Sequence, residues 1–554
     1  MTGPTGAIGL NFFEADLPLA RRLGRHVDPA VWPWAERWLK RWGDLCGGPV
    51  AERAEFIDKN PPRLVSYDRW GSEINRVIHH PEAIATKRDL CEAGYTGFGW
   101  SDEVRTDPQK RAASQLLATA FSYMLNQSDT GMACACGMTG GVARIVDSFA
   151  PAEVREVFLP RLTTTVFDEL WDGAMFMTER SGGSDLSGTE TVAVPDGGAW
   201  RLTGDKWFCS NVDARAILTL ARVDGRKTGT KGLGLFLVPS MLDDGEPNSL
   251  RIRRIKDKLG TRSVPTGEVS YEGAVAYQIG EPGVGINRMM EMVNISRLGV
   301  ALMGAGIARR STVEASIYAG ERSAFGKRLN QYPMVRRTLI DMQVDAEAAL
   351  ALCVESSAVA ARIQAGAGTD DDRAYLRIIT PLAKIRAARI GLLNAVEAVE
   401  MLGGNGYIED WPTARQLRDA QCHTIWEGTE NINSLDVLRS MAKQSAHTAL
   451  FARIDEISGS ASDGENLAPA RREAEEALPR VASAPEVHAR DFANLLGDLT
   501  AAALLSEEAV ASGAERDRLV ARRYADRHLG STARLVADPE VDEAFAEIVP
   551  PFVG

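Results

Sequence analysis

The chain has 554 residues, 45% hydrophobic and 25% charged, an ordinary globular composition with length for three or four domains or layers. The formal net charge of −12 argues against broad nucleic-acid binding. No apolar run approaches the roughly 18 residues of a membrane span, and Met1 to Gly6 has no basic segment leading into an apolar one, so neither a transmembrane helix nor a secretory signal is expected.

Residues 1–173 read mainly as helices with loops; Ala112 to Phe121, for example, is rich in helix formers. Asn60 to Asp68 breaks the pattern, because Pro61 and Pro62 force an extended connection, which by itself is a loop. Cys134-Ala135-Cys136 lies in an apolar run and reads as a buried thiol pair rather than a metal site; with no CxxC, the seven cysteines fit a reducing cytoplasm. From 174 to 285 the texture becomes short alternating runs: Thr191 to Val194, Trp200 to Thr203, Ala216 to Leu220 and Leu233 to Val238. Turns at Asp196-Gly197-Gly198, Gly204-Asp205 and Asp243-Asp244-Gly245 separate them, which predicts a β domain.

Helical periodicity resumes over 286–444. Leu382, Ile385, Leu392, Val396, Val399 and Leu402 fall on one face, and Gly403-Gly404-Asn405-Gly406 ends that helix. The tail, 445–554, reads as further helices, with Ser458 to Glu465 as a flexible linker. It holds 11 Arg and no Lys against 20 Asp plus Glu, a net charge of −9.

Four stretches carry candidate chemistry. In His423-Thr424-Ile425-Trp426-Glu427-Gly428-Thr429-Glu430-Asn431, Glu427 sits in a tight turn between an aromatic ring and a glycine. Arg415 to Asp419 before it reads as the end of a polar helix. After it, Ile432, Leu435, Leu438 and Met441 read as a buried stripe, with Thr429 as N-cap. A carboxylate against apolar surface has a raised pKa and can act as a general base; a helix cap or solvated turn fits the same residues. Met177 to Asp185 (Met-Thr-Glu-Arg-Ser-Gly-Gly-Ser-Asp) can present hydroxyls and N–H groups to a polar ligand, or form a structural turn. Lys206 to Asn211 (Lys-Trp-Phe-Cys-Ser-Asn) reads as a core strand with two aromatics. Arg322 to Gln331 (Arg-Ser-Ala-Phe-Gly-Lys-Arg-Leu-Asn-Gln) is the fourth.

In this order these stretches resemble the acyl-CoA dehydrogenases over roughly residues 50 to 445. Trp426-Glu427-Gly428-Thr429 resembles the family's active-site turn. Met177 to Asp185 resembles its flavin-binding turn, departing from the usual Pro and Ala at Arg180 to Gly183. Trp207, Phe208 and Ser210 match the strand that lies against the flavin ring. Arg322 to Gln331 matches Arg-x-x-Phe-Gly-x-x-Leu-x-x-Gln, with Gln331 one position early. Glu397 to Tyr407 resembles a stretch that holds the cofactor across an interface, with Glu400 where many members have Gln. The Gly182-Gly183 form, and Asn60 to Asp68 followed by His79-His80-Pro81, resemble the AidB branch, flavoproteins linked to bacterial alkylation damage.

The resemblance implies a mainly α fold with a central β domain: an N-terminal helical domain (1–173), a β-barrel-like domain (174–285), a four-helix bundle (286–444) and an extra helical domain (445–554). It implies FAD, bound by Met177, Thr178, Ser184, Trp207, Phe208, Ser210, Arg322, Phe325, Gln331, Trp426, Thr429 and Asn431. Arg322 and Phe325 would reach a neighbouring subunit's cofactor, so a homodimer or tetramer is expected. The implied reaction is α,β-dehydrogenation of an acyl-CoA, with Glu427 taking the α-proton while the β-hydrogen leaves as hydride to flavin N5. The backbone N–H of Glu427 and a flavin hydroxyl would stabilise the developing enolate. In some members a glutamate just before an arginine supplies the base instead; here Ser296 precedes Arg297, which leaves Glu427. The reduced flavin would pass electrons to an acceptor protein or, less usefully, to oxygen. Two other readings compete. A DNA-associated damage-response protein is disfavoured by the acidic tail, despite the cluster Arg516, Arg518, Arg522, Arg523 and Arg527. A flavin oxidase or monooxygenase acting on a non-CoA substrate is the other.

Overall fold

The computed structural model describes residues 6–223, 229–281, 285–460, 467–530 and 543–549. Helices α1 (Leu17–His26), α2 (Trp32–Leu45) and α3 (Ala51–Lys59) open the chain. Asn60 to Asp68 is not a loop. Pro61 and Pro62 end α3, and the extended backbone they impose pairs at once as β1 (Arg63–Tyr67) with β2 (Glu73–Ile78), an antiparallel hairpin. Then come α4 (Pro81–Glu92), α5 (Asp102–Arg105), α6 (Pro108–Asn126), α7 (Thr130–Phe149) and α8 (Ala152–Thr163). Ala112 to Phe121 lies inside α6, as expected. Cys134 and Cys136 do not form a thiol pair: two residues apart on α7 they point to different sides, and Cys136 is the fully buried one.

The β domain comprises β3 (Gly173–Phe176), β4 (Val192–Asp196), β5 (Ala199–Ser210), β6 (Ala216–Val223), β7 (Leu233–Pro239), β8 (Leu250–Ile255) and β9 (Thr266–Ile279). Strand order is β3-β6-β4-β5-β9-β7, with β8 on β9. Because β7 also pairs with β6, five strands close on themselves as a barrel. Leu202, Ile217, Phe236, Val269 and Tyr271 belong to one buried core, and Leu218, Leu235 and Leu237 pack with Val142, Val146 and Phe158 of α7 and α8 in another. Gly204-Asp205 is not a turn. It lies within β5, where Gly204 at φ +146° sits beside a register shift, and a Cβ there would lie 2.6 Å from Thr191 Cα.

Next come α9 (Gly285–Glu321), a short hairpin of β10 (Ser323–Ala324) and β11 (Lys327–Arg328), then α10 (Pro333–Gln364), α11 (Asp370–Leu402), α12 (Pro412–His423) and α13 (Glu430–Gln444). The tail adds α14 (Ala446–Ser460), α15 (Ala468–Ser483), α16 (Pro485–Ser512), α17 (Glu515–His528) and α18 (Phe545–Ile548). Of the expected linker, 458–460 end α14, and the rest, 461–465, lies outside the described residues. Helices α9 and α11 meet backbone to backbone: a Cβ on Gly391 would lie 2.5 Å from Gly304 O. That contact explains why the face expected for α11 holds only in part. Leu382, Ile385 and Leu402 are buried, but Leu392 and Val399 are half-buried and Val396 is exposed. The second half of α11 buries the small face Gly391, Asn394, Ala395 and Ala398 instead, with Asn394 Nδ2 donating to Met342 O at 2.8 Å.

The chain divides into two compact units. One, residues 52–105 and 129–296, holds the barrel; the other, residues 1–51, 106–128 and 297–554, holds the bundle and the tail. Within the second unit α16 packs against α10, α11 and α13.

Candidate active site

Between α12 and α13 the chain reverses over Thr424 to Gly428, and Thr429 Oγ1 caps α13 by accepting from Ile432 N at 3.4 Å. Glu427 has φ +53° and Gly428 φ +97°. A glutamate in the left-handed region costs on the order of 1 kcal/mol and persists only where its surroundings fix it. Here Asn433 Nδ2 donates to the carbonyls of Glu427, Gly428 and Thr429 at 3.3, 2.8 and 3.1 Å. Lys384 Nζ donates to Gly428 O at 2.6 Å and Thr424 O at 3.3 Å, and Arg297 Nε donates to Glu427 O at 3.4 Å. Arg297 is held in turn by Asp436 at 2.6 Å, which also pairs with Arg377 at 2.7 Å.

These demands decide which face of α13 turns inward. The buried residues are Asn433, Ser434, Asp436, Val437 and Ser440, while Ile432, Leu435, Leu438 and Met441, the expected stripe, are half-buried. A buried arginine and a turn of unpaired carbonyls need polar partners more than the helix needs an apolar core there. Arg415 to Asp419, expected at the end of a polar helix, lies in the middle of α12, where Arg415 and Asp419 pair at 3.3 Å and are buried.

Burial pushes the half-buried Glu427 carboxyl up to about 7, against the opposing pull of Arg297 and Lys384. Burial lowers Lys384 to about 8. His423, fully buried, is lowered to about 3 by burial and by Lys384, so it is neutral at physiological pH. Glu430 goes the other way: burial opposes its charge, but hydrogen bonds from Arg389, Asn494 and Arg490 bring it down to about 2. One turn thus holds a carboxyl poised to exchange a proton near neutrality and another locked as an anion, the separation that acid–base chemistry uses.

The other candidate residues fall into two groups. In the barrel unit, Met177 to Asp185 follows β3 and docks on β5 where Trp207 N donates to Thr178 O at 2.9 Å. Glu179 staples this turn from inside: it pairs with the buried Lys206 at 2.6 Å and accepts from Glu190 N and Thr191 Oγ1, both at 2.6 Å. Trp207 is half-buried, with Lys256 Nζ 3.7 Å and Arg180 4.9 Å from its ring centroid; Phe208 is exposed. Ser210 Oγ lies 3.1 Å from Thr266 Oγ1; Met177 and Thr178 are half-buried and Ser184 is exposed. In the helical unit, Trp426 is half-buried and Thr429 and Asn431 are exposed beside Glu427. Arg322 is exposed just after α9, Phe325 is 98% exposed at the tip of the β10–β11 hairpin, and Gln331 Oε1 accepts from Arg328 N at 3.0 Å.

Lys384, Asn433, Asp436 and Arg377 escaped sequence reasoning. One signal could have found Lys384: it lies between Leu382 and Ile385 on the buried side of α11, where a cation is expensive unless it has a task.

Family models match in three consecutive segments: the adaptive response protein AidB N-terminal domain over residues 4–169, the acyl-CoA dehydrogenase middle domain over 174–274 and the acyl-CoA dehydrogenase C-terminal domain over 283–442. Acyl-CoA dehydrogenase family member 11 of Caenorhabditis elegans is 33% identical over 87% of this chain and 78% of its own. A crystal structure of Caenorhabditis elegans ACDH-11 in complex with C11-CoA matches with a TM-score of 0.90 and 29% identity, covering 100% of this chain and 97% of that one. Putative acyl-CoA dehydrogenase AidB of Escherichia coli K12 is 32% identical over 74% of this chain and 75% of its own. The fold is also that of an acyl-CoA dehydrogenase from Bacillus anthracis complexed with FAD, at a TM-score of 0.75 and 17% identity over 95% of this chain and 97% of that one. A barrel preceded by an AidB-type segment, a bundle with Glu427 at its turn, and relatives sharing a third of their residues over most of their length place this chain in the acyl-CoA dehydrogenase family, in the branch with an AidB-type N-terminal domain.

Proposed function

We propose that the protein is an FAD-dependent acyl-CoA dehydrogenase in which Glu427 removes the α-proton of the substrate thioester. The observation that carries this is the Glu427 carboxyl itself, fixed in a left-handed turn and pushed up to about 7. A thioester α-proton is weakly acidic, and a base whose pKa lies near the working pH combines availability with driving force. The chain's own residues fit the cofactor. Trp207 and Phe208 offer two aromatic rings set edge to face, and Thr178, Ser184 and Ser210 offer hydroxyls within the same unit. A Cβ at Gly183 would come within 2.6 Å of Thr178 Oγ1, so that position stays open only as glycine. Arg322 presents an exposed guanidinium suited to a pyrophosphate, and Met177, Gln331, Trp426, Thr429 and Asn431 complete the set. When bound, FAD supplies the acceptor for the β-hydride. Lys384 and Arg297 hold the backbone of the Glu427 turn in place while the carboxyl carries the proton. The exposed Phe325 hairpin fits a contact with a neighbouring subunit, so the working form is a homodimer or tetramer. A cytoplasmic setting and an electron-acceptor protein belong to the same reading.

The test is anaerobic. The FAD-loaded protein is titrated with short, branched and medium-chain acyl-CoAs, including C11-CoA. Bleaching of the flavin is expected, and Glu427→Gln should slow it roughly 10²–10⁴-fold. Bound flavin that no thioester bleaches would sink the dehydrogenase reading and favour an oxidase or monooxygenase, which oxygen uptake would reveal.

The AidB-type N-terminal match favours a second reading, a damage-response flavoprotein that binds DNA. Against it stands the use of the tail arginines. Arg516 pairs with Glu347, Arg518 with Glu515, Arg523 with Asp341 and Arg527 with Asp345, so phosphate contacts would have to displace carboxylates. A salt-dependent gel shift decides.

A further inference from the structure

We propose that the tail helix α16 is a positioning part of the active site: through Arg490 and Asn494 it clamps Glu430 and so fixes the turn that carries Glu427. The effect on rate rests on the dehydrogenase reading; the clamp itself does not.

Glu430 is the first residue of α13, three positions after Glu427. Arg490 grips its carboxylate as a two-point fork, Nε to Oε1 at 3.0 Å and Nη2 to Oε2 at 2.9 Å. Asn494 Nδ2 donates to Oε1 at 3.0 Å, and Arg389 of α11 donates to Oε2 at 2.6 Å. A carboxylate at a helix N-terminus is already favoured by the helix dipole and needs no such set of donors for stability. Arg490 is 53% exposed, where a lone ion pair is worth little, so its geometric role outweighs its energetic one.

The donors are themselves anchored. Arg386 donates to Asn494 Oδ1 at 3.3 Å and pairs with Asp498 at 2.6 Å, and Asp498 also accepts from Tyr524 Oη at 2.7 Å. Helices α11, α16 and α17 therefore hold the clamp as one frame. Behind the turn, Lys384, Ala388, Arg389, Thr424 and Glu430 line a small cavity. Hydrogen bonds from Lys384, Arg389, Arg490 and Asn494 converge around it.

The experiment uses the full-length, FAD-loaded protein with Arg490→Gln, Asn494→Ala, the double variant and Arg490→Lys. Three things are measured: amide hydrogen exchange across 424–432, the thermal midpoint, and the pH dependence of anaerobic flavin reduction by C11-CoA. The double variant should exchange at least about tenfold faster in that peptide, with exchange in the barrel unchanged. The maximal reduction rate should fall about 10–100-fold, the loss expected from a small misplacement of a reacting group, with KM moved less. Its rise with pH should move below 7 as water reaches Glu427, and Arg490→Lys should recover part of the loss. A lowered midpoint with peptide exchange and pH profile unchanged would reduce α16 to a stabiliser and overturn the proposal. Should the double variant fail to fold, Arg490→Gln alone, at an exposed site, is put through the same three measurements with the same outcomes expected. If the wild type is not bleached at all, the dehydrogenase reading fails while hydrogen exchange still decides the clamp.

Discussion

Glu427 and Glu430 lie three residues apart and differ in how readily they ionise, because one lacks a side-chain donor among the described residues around it and the other has a full set. For Glu427 the consequence is a rate that rises with pH through about 7, as the carboxyl loses its proton and becomes a base. Lys384 favours the charged form of Glu427, so Lys384→Met should raise the base's pKa and shift that rise to more alkaline pH, lowering the rate at pH 7. Stopped-flow flavin reduction from pH 6 to 9 checks this; an unmoved or acid-shifted profile would refute it. For Glu430 the sign is reversed. Its folded pKa of about 2 lies below the ordinary 4.5, so its contribution is complete above about 4.5 and fades as pH falls toward 2. Glu430→Gln should therefore flatten the acid limb of the stability curve between those values. Glu427 and its turn were legible in the sequence because Trp426, Glu427, Gly428 and Thr429 are adjacent. Lys384 and Arg490 were not, nor was the bond from Arg297 to Glu427 O, because they come from 43 residues before Glu427, 60 after Glu430 and 130 before Glu427, contacts that only folding creates.

At the level of elements, the crossing of α9 and α11 depends on Gly304 and Gly391. Gly391→Val would force the two helices apart, since its Cβ alone would meet Gly304 O at 2.5 Å. The expected cost is about 1–3 kcal/mol, read as a lowered midpoint in urea, with Asn394 losing its bond to Met342 O. An unchanged midpoint would mean the crossing is not close-packed. The β runs were legible from alternation, and so was the turn at Asp196-Gly197-Gly198, but the closure of β7 onto β6 was not, since alternation carries no register between distant strands. The inward face of α13 was misread for a related reason. Periodicity locates apolar residues, and it fails where Arg297 and the turn carbonyls draw Asn433 and Asp436 inside.

For the molecule as a whole, the acidic balance and the use of the arginines go together. The tail's net charge of −9 sits in the same compact unit as the bundle, and Arg516, Arg523 and Arg527 are engaged by the α10 carboxylates Glu347, Asp341 and Asp345. DNA retention that is both weak and lost with salt is the expected result. The same unit exposes Phe325, Met334 and Tyr407, each at least 83% accessible, and Phe325 stands at the tip of the hairpin proposed to meet a neighbouring subunit. Sedimentation should therefore find a dimer or tetramer, and Phe325→Asp should shift it toward a smaller species and weaken FAD retention; a wild-type monomer would refute the subunit contact.

The left-handed backbone at Glu427 has a price beyond chemistry. Its positive φ and its desolvated carboxyl both work against the folded state, so the residue proposed to take the substrate's proton is a poor choice for durability. Glu427→Gly, which relieves both, should yield an inactive protein with a higher melting temperature, by on the order of 1 kcal/mol of added stability. Selection for hardiness alone would then favour chains that have lost the reaction, and relatives that keep a glutamate here would do so only while the reaction itself is being selected.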